Sequence, residues 1–319
     1  MGVTGDDLAA LRGGLLAFCY QLLGSPFDAE DALQDTMERA WRSRETFDPD
    51  VASLATWTFR IARNVCFDRL RDSPRRPLPR DLTDAGIEVG APLVPALDVP
   101  WLMPAPTSWW ADSEPESAAV AADGARLAVT AVLQVLPPRQ RGVFILRDVL
   151  GHSTAETAAI LEMSTAAANS ALQRARAAVR ERASRPARLR RETIEDYARA
   201  IEQGDVAALA ALVSADVVLE MPPVPQWARG RETYAEFMAH LFAWRGKRWG
   251  TRTISANGQL GILLFLVTDA GQRPHTVQLF EGDAAGAAIR HVLVYQDPRL
   301  FAVFERELPR TDEFRAVQS

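Results

Sequence analysis

The stretch LPPRQRGVFILRDVLGHSTAETAAILEMSTAAANSALQRARAAVRE, residues 136–181, reads as three consecutive helices and their turns. Pro137-Pro138 suits the first turn of a helix, where a missing N–H costs nothing; Val143, Phe144 and Leu146 give that helix an apolar side, and Gly151 supplies its stop. Ser153-Thr154-Ala155-Glu156 has the spacing of a capping box, which opens the second helix, and Ser164 is placed to cap the third. In the third helix Ala168, Leu172, Ala175 and Val179 fall on one side, which leaves Thr165, Asn169, Ser170, Gln173, Arg174 and Arg176 facing outward. A short polar N-terminal part suits base edges, and arginines suit phosphates, so the stretch is expected to be a helix-turn-helix that enters the major groove.

Charge agrees once it is resolved along the chain. The formal net charge of the 319 residues is −5, which does not suit a nucleic-acid binder. Between Arg139 and Arg191, however, eleven arginines stand against four acids (Asp148, Glu156, Glu162, Glu181), so the basic footprint is local. Every basic residue except Lys247 is an arginine and alanine is abundant, a bias that fits a GC-rich genome and carries no function by itself.

Upstream, residues 72–115 carry prolines at 74, 77, 79, 92, 95, 100, 104, 106 and 115, which exclude a long helix and read as a linker. It holds Trp101, Trp109 and Trp110, residues that solvated linkers seldom carry. Residues 8–71 before it are continuously helix-permissive, and helical periodicity resumes over 116–190. In the first of these segments Ala29, Ala32, Leu33, Thr36, Met37, Ala40 and Trp41 form one apolar stripe, with Glu30, Asp31, Gln34, Asp35 and Glu38 on the opposite face. A second helix places Leu54, Trp57, Ile61 and Val65 on its apolar side and leaves Arg60, Arg63, Asn64, Asp68 and Arg71 as polar contacts. Aromatic residues beside arginines suit an unstacked base and a tracked phosphate strand.

These stretches resemble a known family. DAEDALQDTMERAW (28–41) and SLATWTFRIARNVCFDRLR (53–71) look like region 2 of bacterial RNA polymerase sigma factors of the extracytoplasmic-function (ECF) group, and 136–181 looks like their region 4. The resemblance implies a transcription-initiation factor with core RNA polymerase and promoter DNA as partners. It implies that Asp31, Gln34, Asp35 and Glu38 dock on the β′ clamp helices. Arg60, Arg63, Asn64, Asp68 and Arg71 then recognise and melt the −10 element. Thr165, Asn169, Ser170, Gln173, Arg174 and Arg176 read the −35 element, with region 4 resting on the β flap. Alanines at 166–168 and 171, where many relatives carry larger side chains, leave the −35 sequence unspecified. VPWLMPAP (99–106) resembles the WL-x-P segment in the long linkers of the mycobacterial G type, and the whole chain resembles the G/J type. Such a linker either threads the polymerase cleft or packs its tryptophans on the C-terminal domain.

From residue 191 to 319 the pattern changes to alternating apolar segments, Val217–Leu219, Ile262–Val267, Thr276–Phe280 and Ile289–Tyr295, which signal strands. RETIEDYARAIEQGDVAALAALV (191–213), ADVVLEMPPVPQWARG (215–230) and IRHVLVYQDPRLFAVFERELP (289–309) resemble a SnoaL-like domain, a cone-shaped α+β fold related to ketosteroid isomerase and polyketide cyclases. The expected architecture is therefore multidomain, with two all-α domains followed by an α+β cone. Glu220, Trp227, His240, His275 and His291 are candidates to line its cavity, yet spacing alone reveals no carboxylate–histidine pair. No catalytic group, cofactor or metal is expected. The cone is expected to regulate the sigma domains in cis, and whether it takes a small ligand is open. A ligand-sensing helix-turn-helix regulator, and a cyclase- or isomerase-type enzyme, are the competing readings.

Cys19 and Cys66 lie in apolar helical stretches without metal-ligand spacing and read as reduced core residues. The longest apolar run, Leu260–Val267, is too short to span a bilayer and the N-terminus lacks a signal-peptide pattern, so a cytoplasmic protein with no membrane partner is expected.

Overall fold

The computed structural model describes residues 3–72, 75–110, 126–182 and 188–306. The expected start of the second helical segment at 116 and Arg185 lie outside them. The chain forms two compact units, one of Met1–Arg76 with Leu102–Ser184 and one of Pro77–Trp101 with Arg185–Ser319.

The first unit is helical. A short α1 (Gly5–Ala9) precedes α2 (Arg12–Leu23), which is buried along almost its whole circumference from Ala17 to Leu23, as befits a helix with apolar residues all round. Gly24, at φ 70°, closes α2; Leu102, Gln134 and Arg76 crowd it so closely that a Cβ would meet atoms at 3.0–3.1 Å. Helix α3 (Pro26–Arg42) is capped by Ser25, whose hydroxyl accepts from the Asp28 N–H, and it packs on α2 and on α4 (Leu54–Asp72).

The second half of this unit comprises α5 (Leu127–Leu133), α6 (Pro138–Phe144, continued by a π-helical turn Ile145–Val149), α7 (Thr154–Leu161) and α8 (Thr165–Arg182). The capping box forms as expected: the Glu156 N–H donates to the Ser153 hydroxyl and the Ser153 N–H to the Glu156 carboxylate. Ser164 accepts from the Ala167 N–H at the start of α8. Helix α8 packs on α5, α6 and α7 through Ala168, Ala171, Leu172 and Ala175.

Two faces differ from expectation. Trp41, placed on the apolar stripe of α3, is 46% exposed, with the Arg44 guanidinium 4.3 Å above its ring. On α4 the buried apolar residues are Phe59, Ala62, Val65 and Cys66, whereas Leu54, Trp57 and Ile61 are half-buried. A single stripe does not describe α4, because it packs on α2 and α3 and also against α6 and α7.

The second unit holds α9 (Arg191–Gln203), α10 (Val206–Leu212), β1 (Val213–Met221), β2 (Val224–Arg229), α11 (Arg231–Arg245), β3 (Trp249–Ala256), β4 (Gln259–Thr268), β5 (Gly271–Gly282), β6 (Ile289–Tyr295) and α12 (Pro298–Glu305). The six-stranded sheet runs β2-β1-β6-β5-β4-β3, with β1 and β6 parallel and the other neighbours antiparallel. Alternation sorts its residues: Leu219, Met221, Ile262, Leu264, Phe280, Val292 and Val294 join the core with α9 and α11, and Phe265 on the other face meets Phe301 of α12.

In the free chain the linker is divided between the two units, and its tryptophans do not pack on the C-terminal domain as a group. Residues 77–101 belong to the second unit: Thr83 donates its hydroxyl to the Pro225 carbonyl, the Trp227 indole N–H donates to Thr83, and Ile87 and Leu93 pack on the sheet–helix core. Trp101 is buried there. Residues 102–110 belong to the helical unit, where the Tyr20 hydroxyl donates to the Met103 carbonyl and the rings of Trp109 and Trp110 stand edge-on to Tyr20.

Candidate nucleic-acid interface

Helix α8 presents an open polar side. Thr165, Asn169, Ser170, Gln173, Arg174 and Arg176 are all exposed, as expected, while the apolar side is covered. One of the six is engaged: Arg176 grips Asp148 with two hydrogen bonds of 2.7 and 2.6 Å, and this pair holds its guanidinium in the charged form.

Helix α3 divides along its acidic face. Asp31, Gln34 and Glu38 are exposed, Glu38 sharing an i,i+4 pair with Arg42 at 2.5 Å. Asp35 instead accepts from Arg69 at 2.7 Å and ties α3 to α4.

The polar residues nominated on α4 are not brought together. Asn64, Asp68 and Arg71 are exposed, and Asp68 pairs with Arg71 along the helix. Arg60 is half-buried and Arg63 fully buried, and both donate to a carboxylate of the helix-turn-helix, Glu162, at 3.1 and 3.0 Å. Glu162 sits just after α7 at φ 51°, a left-handed conformation more usual for glycine, with its N–H returned to α7. Arg63 and then Arg60 hold its carboxyl down to about 2, so it is charged at any ordinary pH. No sequence expectation singled out Glu162. A signal was present in the turn, which has a glutamate where helix C-termini favour glycine.

Three more contacts close the same unit. Arg141, fully buried, donates to the Leu22 carbonyl at the end of α2 and to Gln134 Oε1 at 3.1 Å; burial pulls its guanidinium down to about 10. Thr130 donates to Gln21 at 3.1 Å. The His152 ring stands edge-on to Phe59 at 4.9 Å, where burial lowers its basicity against the opposing pull of Glu156. The described residues of 3–76 and 126–182 therefore belong to one packed helical body.

The C-terminal cavity holds about 420 Å³ of empty space, its mouth included, between the sheet and helices α9 and α11. Of the residues nominated for it, His275 lines it; Glu220, Trp227, His240 and His291 do not. Its polar groups form a chain in which Tyr234 donates to Tyr197 at 2.9 Å, Tyr197 to Gln278 at 3.3 Å and Gln278 to Thr276 at 3.2 Å. Burial pushes the Tyr197 phenol well above its ordinary value, and burial with an Arg245 charge nearby pulls His275 down to about 4. A carboxylate–histidine pair does exist, on the opposite face: Glu220 Oε2 lies 2.6 Å from His291 Nε2, and Glu281 Oε2 lies 3.5 Å from His291 Nδ1. Burial works against both charges, but His291 and Arg80 together hold the Glu220 carboxyl below its ordinary range, while Glu220 and Glu281 hold His291 above its own. The linker covers this pair, the Arg80 N–H donating to Glu220 Oε1 at 2.8 Å. Sequence could not reveal it, because the pair forms only through the parallel β1–β6 ladder.

The sequence matches the Sigma-70 region 2 family over residues 8–76, Sigma-70 region 4 over 126–179, and the SnoaL-like domain over 194–296. It is 36% identical over 303 residues to the ECF RNA polymerase sigma factor SigG of Mycobacterium tuberculosis, covering 92% of this chain and 81% of that protein. The chain belongs to the ECF sigma factors. SigJ of the same organism is 29% identical over 272 residues, covering 80% of this chain and 79% of SigJ. The crystal structure of M. tuberculosis SigJ superposes with a TM-score of 0.60 at 26% identity, covering 94% of this chain and 99% of that one. The protein is thus a sigma factor with a C-terminal SnoaL-like domain, and the competing reading as a ligand-sensing regulator without polymerase is not favoured. A sigma factor binds core RNA polymerase and promoter DNA. Among the described residues no helix is long and apolar enough to cross a membrane.

Proposed function

We propose that this sigma factor docks on the β′ clamp helices through α3, opens and reads the −10 element through α4, reads the −35 element through α8 with the second helical domain on the β flap, and works in the cytoplasm where the polymerase is. The observation that carries this reading is the sorting of α8, whose small apolar residues are buried against α5–α7 while its six nominated polar residues are exposed. On α3, Asp31 and Gln34 one turn apart supply the exposed docking patch. Asp35 contributes through Arg69 to the fold as well, so Asp31 is the cleaner probe. Asp31→Arg is expected to lower affinity for core polymerase at least tenfold with an unchanged melting profile; unaltered affinity would remove α3 from the docking surface.

The SnoaL-like domain acts on the sigma domains in cis and by contact. What supports a non-catalytic role is the separation of its groups: the Glu220–His291 pair lies on the sheet face away from the cavity and under the linker, while the cavity offers tyrosines, amides and a histidine of weakened basicity. The boundaries that fit this reading are 8–71, 72–115, 116–190 and 191–319, with the linker shared between the two units. Removing the chain after about residue 190 is expected to change promoter-directed transcription severalfold, whereas His275→Gln is expected to leave it within twofold.

A further inference from the structure

The ion pairs between α4 and the helix-turn-helix join two surfaces that the proposed function sends to separate DNA elements, and they obey the chemistry of a phosphate site. Arg60 and Arg63 stand one turn apart on α4 and converge on one oxygen of Glu162, at 3.1 and 3.0 Å. Two guanidinium groups aimed at one point form a cradle for an anion with several acceptor oxygens. The carboxylate fills it incompletely. The Arg63 side chain is 5% exposed, yet its Nε is buried with no hydrogen-bond partner, a donor left over beside an acceptor that has only two oxygens. A phosphodiester carries two non-bridging oxygens and two ester oxygens on a tetrahedral centre, and so can reach donors that a planar carboxylate cannot.

The backbone at Glu162 points the same way. Its left-handed conformation, φ 51° and ψ 58°, closes the turn between α7 and α8, where glycine would be held at lower cost. A side chain kept at such a position, with its carboxylate directed to two arginines about 100 residues away in sequence, has a role beyond the turn.

We infer that Glu162 is an intramolecular surrogate for a promoter phosphate: in the free chain it occupies the Arg60–Arg63 cradle, so that its ion pairs and a phosphate held by the two arginines exclude each other. The inference rests on the assignment of Arg60 and Arg63 to DNA, and goes beyond it by naming the group that competes. Glu162 does not close the unit alone. Arg141 on the Leu22 carbonyl, Thr130 on Gln21 and His152 against Phe59 share the work, so removing the carboxylate frees the cradle without unfolding the chain.

The test uses the full chain and a fluorescein-labelled single-stranded oligodeoxythymidine, with anisotropy read against salt. Glu162→Gln keeps the side chain's size and removes its charge. It is expected to bind the strand roughly five-fold tighter at low salt. The plot of log affinity against log salt should steepen by roughly 0.7, the value for one phosphate of a single strand. Glu162→Gly, which removes the carboxylate and relaxes the left-handed backbone, should give the same gain and serves if the glutamine variant is unstable. Adding Arg60→Gln and Arg63→Gln to either variant should cancel the gain. No gain from Glu162→Gln or Glu162→Gly overturns the surrogate. If Arg60→Gln with Arg63→Gln still weakens promoter binding of the holoenzyme, the arginine assignment survives that failure; if it does not, that assignment falls as well. A gain that persists without the two arginines also overturns it, since the effect would then be one of net charge.

Discussion

Helices α8 and α4 both carry arginines and short polar side chains, yet the free chain treats them oppositely. On α8 the nominated residues face solvent and only Arg176 is held, by Asp148. On α4 the two nominated arginines nearest the helix-turn-helix are held by Glu162, and Arg63 is fully buried. The difference teaches that amphipathic sorting decides which face of a helix is polar, but not whether that face is available. Availability here depends on a contact from a distant part of the chain, and it separates the open face of α8, proposed to read the −35 element, from the engaged arginines of α4, proposed to meet the −10 element.

The largest expected effect comes from the packing that both helices share. Phe59 is buried on α4, edge-on to Phe18 at 5.5 Å and to His152 at 4.9 Å. Phe59→Ala is expected to cost about 3–5 kcal/mol of stability, read from urea unfolding followed by circular dichroism. A cost below about 1 kcal/mol would mean that α4 is not clamped between α2 and the helix-turn-helix, and the contrast with α8 would lose its basis.

Next comes base reading by the open helix. Asn169→Ala or Gln173→Ala is expected to change preference at one −35 position by about tenfold, from the 1–3 kcal/mol of a base contact, in a promoter-binding assay with holoenzyme. A uniform loss over all sequences would move these residues from base edges to the backbone. Arg174 and Arg176 sharpen the comparison within α8. Arg174→Ala should weaken all promoters alike and lower the salt slope by about 0.9. Arg176→Ala should lower it by less, because Asp148 already neutralises that guanidinium.

The smallest effect is one of pH. Burial against Phe59 lowers the basicity of His152, so the unfolded chain binds its proton more readily than the folded one. The helical unit is therefore expected to keep full stability above about pH 6.5, the ordinary histidine value, and to lose part of it as pH falls below that. His152→Leu should flatten the profile measured by thermal unfolding. Glu162, held below its ordinary value of 4.5, adds no pH dependence above that value and costs stability only as pH falls from there towards about 2.

What the sequence disclosed, and what it hid, follows the range of the interactions. The capping box at Ser153–Glu156, the Ser164 cap and the buried register of α8 are set within a few residues, and each was readable from spacing. Alternation likewise marked the segments that became β1, β4, β5 and β6, whereas β3 was not marked and the helices of the C-terminal unit were implied by the family resemblance. The face of α4 was misread because two sets of neighbours bury two sides of it, and Trp41 because a stripe ends where its helix does, leaving the ring to Arg44. Glu162 on Arg60 and Arg63, and Glu220 beside His291, are pairings across long separations. Only the folded backbone brings them together.

The contrast between an open α8 and a masked α4 is tested most directly by electron-spin distance measurement between labels on Glu45, between α3 and α4, and Ala177 of α8, both exposed and outside the proposed DNA contacts. The free full-length chain should give one short, narrow distribution, and the promoter-bound holoenzyme a single distribution shifted to longer distance, with nothing left at the short one. A holoenzyme distribution that coincides with that of the free chain would show that α4 reads DNA without leaving the helix-turn-helix, and would contradict the account.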